Sequence, residues 1–529
     1  MESKPIKIVK KNPSVFQTEA LEDVVARLEK QIQDLYCSDK IPWVVGYSGG
    51  KDSTATLQLV WNAVKNLPKE KRTKEVYVIS TDTLVENPVV AMWVTASLDK
   101  MKKEAEKQKL PFFPNRLTPE NDNSFWVNLI GRGYPAPRPK FRWCTERLKI
   151  NPANKFILDI VSKNTEAIMV LGTRKAESQA RKKVMENHEA GSTRDLLSKN
   201  ANAQFERVWI YAPIGDWIND DVWEYLVTID NPWGYDNHQL LDMYRGATED
   251  NECPLVVDTS TPSCGDSRFG CFVCTLVDQD KSMSAMIKND QEKKWMTPLA
   301  NFRNKYLNIN DHEHRDFRRR NGSLTIMYNN QSERADKLVP GPYKQSYRKI
   351  LLAELLKAQE HVRASGVKGT EEFVIIHDDE LQAIREIWVQ ERNETEDFVP
   401  EIYEKVTNRS YPYPKINENI AFSADDLALL LNSNKEDEAI DDIHYQLTRN
   451  LLNIEKEFSR SKRRTGIYEK IESEIIKGAF ETADEALEYA LKRKGIKDSN
   501  NTDRDLMEIE YIQSSSENDD DNLDNEATI

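Results

Sequence analysis

One stretch near the start of the chain constrains its fold more than any other. An apolar, β-branched run from Trp43 to Tyr47 has the composition of a buried strand, and apolar residues at helical spacing run from Ala55 to Val64. Residues 48–50, Ser-Gly-Gly, form the turn between them, and Lys51 follows. A strand, a glycine turn and a helix N-terminus predict an anion site, because the loop N–H groups and the positive end of the helix dipole face one ligand.

The type of phosphate loop follows from its residues. The Walker pattern G-x-x-x-x-G-K-[ST] fails, because Val45 stands where its first glycine belongs and Asp52 follows the lysine. The loop instead resembles the SGGxDS loop of the N-type ATP pyrophosphatases, which cut ATP between the α and β phosphates and attach AMP to an oxygen of the substrate. The alternative is a glycine-rich turn without a ligand. The resemblance implies that ATP binds at Ser48, Gly49, Gly50, Lys51, Asp52 and Ser53, with Lys51 and Asp52 as the catalytic residues.

Two further apolar runs predict strands at 75–80 and 167–171, a short strand is expected near 112–117, and helical patterns lie between them. Alternating strands and helices predict an α/β fold with a doubly wound, parallel sheet and ligands at the carboxyl ends of the strands. The resemblance implies the adenine nucleotide alpha hydrolase-like version of this fold. Asp82 follows the second strand, and Gly172 and Arg174 follow the fourth, so we expect all three at the nucleotide.

Two later segments resemble the phosphoadenylylsulfate (PAPS) reductases of the same superfamily. Residues 172–181 match their G-x-R-x-x-E-S-x-x-R segment, although a solvated helix start would also explain the composition. Residues 213–226 match a Pro…Trp…Asp-Val-Trp-x-Tyr-Leu stretch, whose tryptophans we interpret as core residues.

The cysteines form a second chemical signature. Cys264, Cys271 and Cys274 have the spacing C-x₆-C-x₂-C, which brings at least two thiolates within reach of one metal. Three other interpretations exist: a structural zinc, which usually has two close pairs; a redox C-x-x-C; and unligated thiols. The segment around Cys144, Arg-Trp-Cys-Thr-Glu-Arg-Leu-Lys, resembles the element with which iron–sulfur PAPS-type reductases hold a [4Fe–4S] cluster.

This resemblance implies cluster ligation by Cys144, Cys264, Cys271 and Cys274, with Cys253 as the reserve for Cys264. The chain departs from the pattern by having one cysteine at 144 where those enzymes have a pair.

A basic loop at 131–142 carries interleaved aromatic residues, prolines and glycines. It could lie on a nucleic-acid backbone, where arginine contacts phosphate bidentately, or be a solvated linker, and the sequence favours neither. The candidates for holding DNA phosphates are Arg138, Lys140, Arg142 and Arg174.

Composition limits the remaining classes of function. The net charge of the 529-residue chain is −14, but residues 501–529 hold ten acids and one arginine and predict a disordered acidic tail. The rest is only mildly acidic, so charge does not exclude DNA. No apolar run approaches a membrane span, and the start lacks a signal-peptide pattern, so we expect a cytoplasmic protein without a membrane partner. The predicted regions are an irregular 1–16, a nucleotide-binding domain at 17–283, a helical accessory region at 284–500 and the tail.

The loop, the cysteines and the long helical extension together resemble the sulfurtransferases of the DNA phosphorothioation (Dnd) system, the DndC family. That resemblance implies adenylation of a DNA phosphate with ATP and Mg²⁺, followed by replacement of a non-bridging oxygen with sulfur. The implied partners are DNA, a cysteine desulfurase as sulfur donor, and the Dnd components DndD and DndE. The alternatives are a tRNA thiolase, a PAPS reductase-like enzyme and a non-catalytic nucleotide-sensing subunit. The absence of a cysteine after Cys274 argues against the reductase.

Overall fold

The computed structural model describes residues 14–139, 141–190, 194–200, 205–247, 269–327, 337–394, 396–414, 443–459 and 464–493. Lys140, Cys253, Cys264 and the acidic tail lie outside these ranges.

The chain divides into two units, each built from separate stretches of sequence. The first unit contains residues 1–120 and 144–300, and the second contains residues 121–143 and 301–529. The sequence placed 121–143 in the nucleotide-binding domain; in the structure, this segment packs with the C-terminal residues instead.

The first unit is built on a six-stranded sheet with the strand order β3-β2-β1-β4-β6-β5. Every neighbouring pair is parallel except β5 with β6, so the predicted doubly wound parallel sheet is confirmed. The chain order reverses direction between β1 and β4, which is where such sheets bind ligands. The strands are β1 (Trp43–Gly46), β2 (Val76–Thr81), β3 (Phe112–Leu117), β4 (Ala167–Val170), β5 (Ser198–Lys199) and β6 (Val208–Tyr211).

The helices of the first unit follow the predicted pattern up to β4. The buried stripe of the first helix includes Leu21, Val24 and Leu28, and the helix after β1 is buried along most of its length. The helices are α1 (Leu21–Ser38), α2 (Lys51–Lys65), α3 (Pro88–Gln108), α4 (Asn151–Asn164), α5 (Gln179–Ala190), α6 (Asn219–Thr228), α7 (Asn237–Gly246) and α8 (Lys281–Asn289), and α9 (Thr297–Phe302) contains the 300/301 boundary.

The second unit is mostly helical, as the sequence predicts. Its core includes the segment 125–131, whose Trp126 indole donates to the carbonyl of Ile375 (2.8 Å), while the Trp388 indole donates to the carbonyl of Ile130 (2.9 Å). Two of its helices, α12 and α14, are not evident from the sequence pattern. The elements are β7 (Ile326–Met327), β8 (Lys337–Leu338), α10 (Gln345–Arg363), α11 (Asp378–Glu386), α12 (Phe398–Thr407), α13 (Ile443–Ser459), α14 (Ile467–Lys477) and α15 (Ala483–Arg493).

None of the helices in the described residues combines the length and the apolar character needed to cross a bilayer.

Candidate active site

The loop between β1 and α2 lies at the reversal point of the sheet. Its first residue, Tyr47, donates its N–H to the carbonyl of Ile79 (2.8 Å), which continues the β1–β2 pairing into the loop. Gly49 has a φ of +73°, and a Cβ at this position would lie 2.4 Å from Cγ2 of Val94. Backbone conformation and space therefore both require glycine at 49.

Two serines fix the shape of the loop. The Ser48 N–H donates to Oγ of Ser53 (3.2 Å), and the two serine hydroxyls lie 3.1 Å apart. The Ser53 hydroxyl also donates to the carbonyl of Gly50 (3.0 Å). The first N–H groups of α2 have no partner within the helix, and that of Lys51 donates to the hydroxyl of Tyr244 (3.4 Å). The closed loop therefore holds the start of α2 in the arrangement of an anion site.

Asp52 joins two cations beneath the loop. Its Oδ2 accepts from Nζ of Lys51 (3.1 Å), and its Oδ1 accepts from Nε of Arg174 (2.6 Å). Arg174 is only 4% exposed and also donates to the carbonyl of Trp217 (3.4 Å). Because both Asp52 oxygens are engaged, a Mg²⁺ ion there would compete with Lys51. Asp52 therefore fits the positioning of Lys51 better than it fits the binding of metal.

Gly172, just after β4, allows the sheet to approach the start of α2. A Cβ on Gly172 would lie 2.7 Å from the carbonyl oxygen of Asp52, 2.8 Å from its carbonyl carbon and 3.0 Å from the backbone nitrogen of Ser53. All three atoms are backbone, so no side chain could rotate away. Glycine at this position sets the spacing between the two loops of the site.

Asp82 lies at the carboxyl end of β2, as predicted. Its Oδ1 accepts from the N–H of Leu84 (2.8 Å), and its Oδ2 accepts from Nε of Arg116 (2.9 Å). The carboxylate is thus fixed, and Arg116 brings another cation to the same edge of the sheet.

Tyr244 of α7 is a site residue that the sequence did not reveal. Its hydroxyl accepts from the N–H of Lys51 (3.4 Å), and Nζ of Lys51 lies 5.7 Å from the centre of its ring. Burial raises the pKa of Tyr244 to about 12, so the phenol stays neutral at physiological pH. No sequence signal links the two, because they are 193 residues apart.

Cys271 is attached to the segment after β2 through backbone and side chain. It forms an isolated antiparallel bridge with Glu86, and the N–H of Phe272 donates to the carbonyl of Val85 (3.0 Å). The Cys271 sulfur lies 3.5 Å from Oγ1 of Thr83. Oε1 of Glu86 pairs with Nζ of Lys149 (3.2 Å), which is five residues after Cys144.

The charges at this point are coupled. Burial and, to a lesser extent, the Glu86 carboxylate raise the pKa of the Cys271 thiol to about 12. Burial lowers the pKa of Lys149, whereas the nearby Cys271, Glu86 and Cys144 raise it. The combined effect of these three groups is larger than that of burial, so the pKa of Lys149 lies above its ordinary value. Lys149 is therefore a fixed cation beside Cys271, Cys144 and Glu86.

Three of the four cysteines predicted to bind a metal cluster, Cys144, Cys271 and Cys274, lie in the described ranges. Cys144 immediately precedes a π-helical turn (Thr145–Ile150), and the N–H of Cys274 donates to the carbonyl of Cys271 (3.0 Å). In the described ranges, no three His, Cys, Asp or Glu side chains gather in a way that could hold a metal ion. Since Cys264 lies outside those ranges, the four-cysteine set stays a prediction.

One cavity connects the loop with the surroundings of the cysteines. Its volume is about 1170 Å³, compared with roughly 300–1,000 Å³ for typical small-molecule sites. The residues Ser48–Ser53, Asp82, Gly172 and Arg174 line it, and so do Glu86 and Lys149. The predicted nucleotide residues therefore share one cavity with the ion pair that adjoins Cys271.

The basic loop belongs to the second unit. Arg138 forms an ion pair with Asp311, and its backbone exchanges hydrogen bonds with that of Phe141 (3.0 and 2.9 Å). Arg142 is exposed. Of the four DNA-phosphate candidates, Arg174 is buried in the first unit, while Arg138 and Arg142 lie in the second. Their role with DNA stays a prediction.

The region that contains the loop matches one known family model. Residues 42–275 match the model of the phosphoadenosine phosphosulfate reductase domain. An uncharacterized protein of Methanocaldococcus jannaschii is 25% identical over 266 residues, which is 50% of this chain and 42% of that protein. The chain thus spans less than half of this relative's length.

Two solved structures are similar at low identity. The FMN adenylyltransferase of Candida glabrata is 11% identical over 45% of this chain and 64% of its own, with a TM-score of 0.25. The U34-tRNA thiolase of Methanococcus maripaludis, solved with its [4Fe–4S] cluster, is 14% identical over 54% of this chain and 80% of its own, with a TM-score of 0.26.

Proposed function

We propose that the PAPS reductase-like domain at residues 42–275 uses ATP to adenylate a non-bridging oxygen of a DNA phosphodiester, and that sulfur then replaces that oxygen. The observation that carries this proposal is the shared cavity. The loop with Lys51 and the Glu86–Lys149 pair beside Cys271 line the same space. A nucleotide and a sulfur-bearing group can therefore meet there without leaving the cavity.

The first step is an attack on ATP. A lone pair of the phosphodiester oxygen forms a bond to the α-phosphorus, the bond to the bridging oxygen of the β-phosphate breaks, and pyrophosphate leaves with Mg²⁺. Charge develops on the pyrophosphate oxygens, where Lys51 and the first N–H groups of α2 stabilise it. Asp52 and Arg174 keep Lys51 in position, because Asp52 bonds to both cations.

Adenylation makes the DNA phosphorus reactive without cutting the strand. A diester phosphate is a poor electrophile because its oxygens are charged and its leaving group would be the sugar. Once AMP is attached, hydrosulfide attacks the DNA phosphorus, the P–S bond forms, the P–O bond to AMP breaks, and a proton passes to solvent. Sulfur must arrive before water, which favours an enclosed site. A cysteine desulfurase would supply the sulfur as a persulfide, a thiol reductant would release it as hydrosulfide with formation of a disulfide, and the DndD and DndE components would handle the DNA.

The cysteines would hold a [4Fe–4S] cluster through Cys144, Cys264, Cys271 and Cys274. Such a cluster would supply a thiophilic iron centre next to the nucleotide. Lys149 would balance the negative charge of thiolates at 144 and 271, since its pKa already responds to both cysteines.

The decisive experiment follows the α-phosphate of ATP and identifies the nucleic acid that receives the sulfur. ATP labelled at the α-phosphate should yield labelled AMP in the presence of DNA and sulfide, and ADP as the product would contradict the proposal. Mass spectrometry of nuclease-digested DNA and tRNA, from cells with and without the gene, then identifies the acceptor. Phosphorothioate dinucleotides are expected in the DNA. Sulfur found only in tRNA nucleosides would identify a tRNA thiolase.

Two further outcomes separate the remaining alternatives. Sulfite released from PAPS would identify a reductase. ATP binding without AMP formation, with every candidate acceptor present, would identify a nucleotide-sensing subunit.

A further inference from the structure

The second unit contains a cavity of its own, which the sequence did not reveal. Its volume is about 1280 Å³, which exceeds the upper limit of roughly 1,000 Å³ for the volume of typical small-molecule sites. Its wall carries eleven Lys or Arg residues and seven Asp or Glu residues. We call it the second-unit cavity. The basic residues are Arg132, Arg315, Arg318, Arg319, Arg320, Lys337, Lys344, Arg348, Arg392, Arg449 and Lys477.

Most carboxylates of the wall already have cationic partners in the same wall. Four of the seven form ion pairs with an arginine or lysine, and these pairs shape the cavity without adding net charge. The pairs are Arg348–Glu394, Arg318–Asp316 (2.8 Å), Arg320–Glu391 (3.4 Å) and Lys477–Glu474 (2.6 Å).

Five cations of the wall form no ion pair: across the described residues, no carboxylate oxygen lies within 4 Å of Arg132, Arg315, Lys337, Lys344 or Arg392. The three arginines are fixed by backbone carbonyls instead. Arg132 donates to Asp122, Arg315 donates to Gly341 (2.7 Å) and Pro340, and Arg392 donates to residue 132. A carbonyl orients a guanidinium without cancelling its charge, so these cations remain available to an anion.

Neighbouring positive charges make this arrangement costly without a ligand. Burial lowers the pKa of Arg392, and the charge of Arg348 lowers it further, while Glu394 opposes the change without reversing it. Burial also lowers the pKa of Arg315; Asp311 raises this pKa and Arg138 lowers it, and the pKa stays below its ordinary value. An anion in the cavity would relieve both the repulsion and the loss of hydration.

Two buried donors in the wall also lack partners. Gln345 and Arg449 are each 3% exposed, and Nε2 of the first and Nε of the second have no hydrogen-bond acceptor within the described structure. Oδ1 of Asn450, in the same wall, lacks a donor. Buried polar groups are usually satisfied, so unpartnered donors at a positive cavity indicate a missing acceptor.

We propose that the second-unit cavity binds the phosphate groups of a ligand, either a nucleic-acid strand or a free polyphosphate. Planar guanidinium groups match phosphate oxygens bidentately, and lysines add point charges at the same surface. The size of the cavity suits several phosphates better than one. This site is independent of the proposed ATP chemistry, because all its lining residues belong to the second unit.

The test uses the full-length protein with two probes, inorganic tripolyphosphate and a single-stranded DNA oligonucleotide. Both titrations are made in a Lys51→Ala background, because loss of the Lys51 charge weakens phosphate binding at the loop of the first unit. Lys337→Ala and Lys344→Ala are the test variants, because neither lysine is buried and both should leave the fold intact. Lys357→Ala is the matched control, since Lys357 is an exposed lysine on α10 outside the cavity wall.

Each test variant should weaken binding of at least one probe about tenfold, as expected for the loss of a charge-assisted contact. With DNA, each should also reduce the slope of log K against log salt by about 0.7. The probe that responds identifies the source of the phosphate. Unchanged affinity for both probes, or an equal loss in Lys357→Ala, would overturn the proposal. The assay of AMP formation is separate, so either proposal can fail alone.

Discussion

At the scale of single residues, the site depends on Asp52 and its two cationic partners. A carboxylate next to a phosphate site repels the ligand unless cations neutralise it, and Lys51 and Arg174 do so here. The ion pair with Asp52 also limits the motion of the Lys51 side chain. We therefore expect Asp52 to position Lys51, and we expect Lys51 to touch the nucleotide.

Replacing Lys51 with alanine should lower the rate of AMP formation about 10²- to 10³-fold, which is the usual effect of removing one contact to developing charge. Lys65→Ala is the matched control, because Lys65 is an exposed lysine at the end of the same helix. Initial rates with α-labelled ATP make the comparison. If the two variants had similar rates, Lys51 would have no role in the chemistry.

Gly172→Ala should separate the loop from the sheet. Its Cβ would overlap the backbone of Asp52 and Ser53, and such overpacking typically costs about 1–3 kcal/mol. We expect a lower Tm and weaker ATP binding, measured by calorimetry. Gly246→Ala is the control, since a Cβ there meets no atom within 4 Å. Equal behaviour of the two variants would show that the close approach is not required.

At the scale of elements, the segment 121–143 differs most from its predicted role. It follows β3 in sequence and was placed with the nucleotide-binding domain, yet Trp126 and Ile130 are fully buried in the second unit. Apolar composition shows that a segment is buried, but it does not show which core buries it. Only contacts across about 250 residues, such as that from Trp126 to Ile375, settle the question.

Trp126→Ala should destabilise the second unit by about 3–5 kcal/mol, the usual cost of removing a buried tryptophan side chain. Hydrogen exchange followed by mass spectrometry should show faster exchange in α10 and α11. The amides of β1, β2 and β4 should keep their protection. Met92→Ala, at a side chain that is 52% exposed, serves as the control. Faster exchange in β1 and β4 alone would place the segment with the first unit.

The sequence predicted the strands from β1 to β4 within one or two residues. β1, β2 and β4 are mostly apolar runs, whereas β3 is a partly exposed edge strand with Pro, Asn and Arg. The sequence analysis does not predict β5, which has only two residues, or β6, which has the sequence Val-Trp-Ile-Tyr. In the site, it predicted residues that belong to one local motif, such as Lys51. It could not predict Tyr244 or the second-unit cavity, because their partners come from distant parts of the chain.

At the scale of the whole molecule, the loop and the cysteine segments depend on each other. Cys271 is held to the residues after β2, and Lys149 bridges that point to the turn after Cys144. A substitution at the cysteines should therefore alter the cavity that Lys51 lines, because Glu86 and Lys149 line the same cavity. We expect this effect even if ATP does not contact the sulfur atoms.

Protein purified without oxygen should be brown and contain about four iron and four sulfide per chain. Serine at Cys144, Cys264, Cys271 or Cys274 should remove the visible absorbance, and Cys271→Ser should abolish phosphorothioate in cells while retaining much of the ATP binding. Cys37→Ser is the control, because Cys37 is exposed on α1.

Colourless protein with one zinc would contradict the cluster. If Cys253→Ser bleached the protein while Cys264→Ser did not, the fourth ligand would be Cys253.

The second unit combines two segments that are far apart in the sequence, and this has a consequence for synthesis on the ribosome. Trp126 emerges 249 residues before Ile375, which accepts its hydrogen bond. At roughly 5–20 residues per second, the segment waits about 12–50 seconds for its partner. During that interval Phe125, Trp126 and Ile130 have no core to enter, although the sheet before them can already begin to form. Nascent chains of this protein should therefore recruit chaperones at this segment, between the folding of the first unit and the completion of the second.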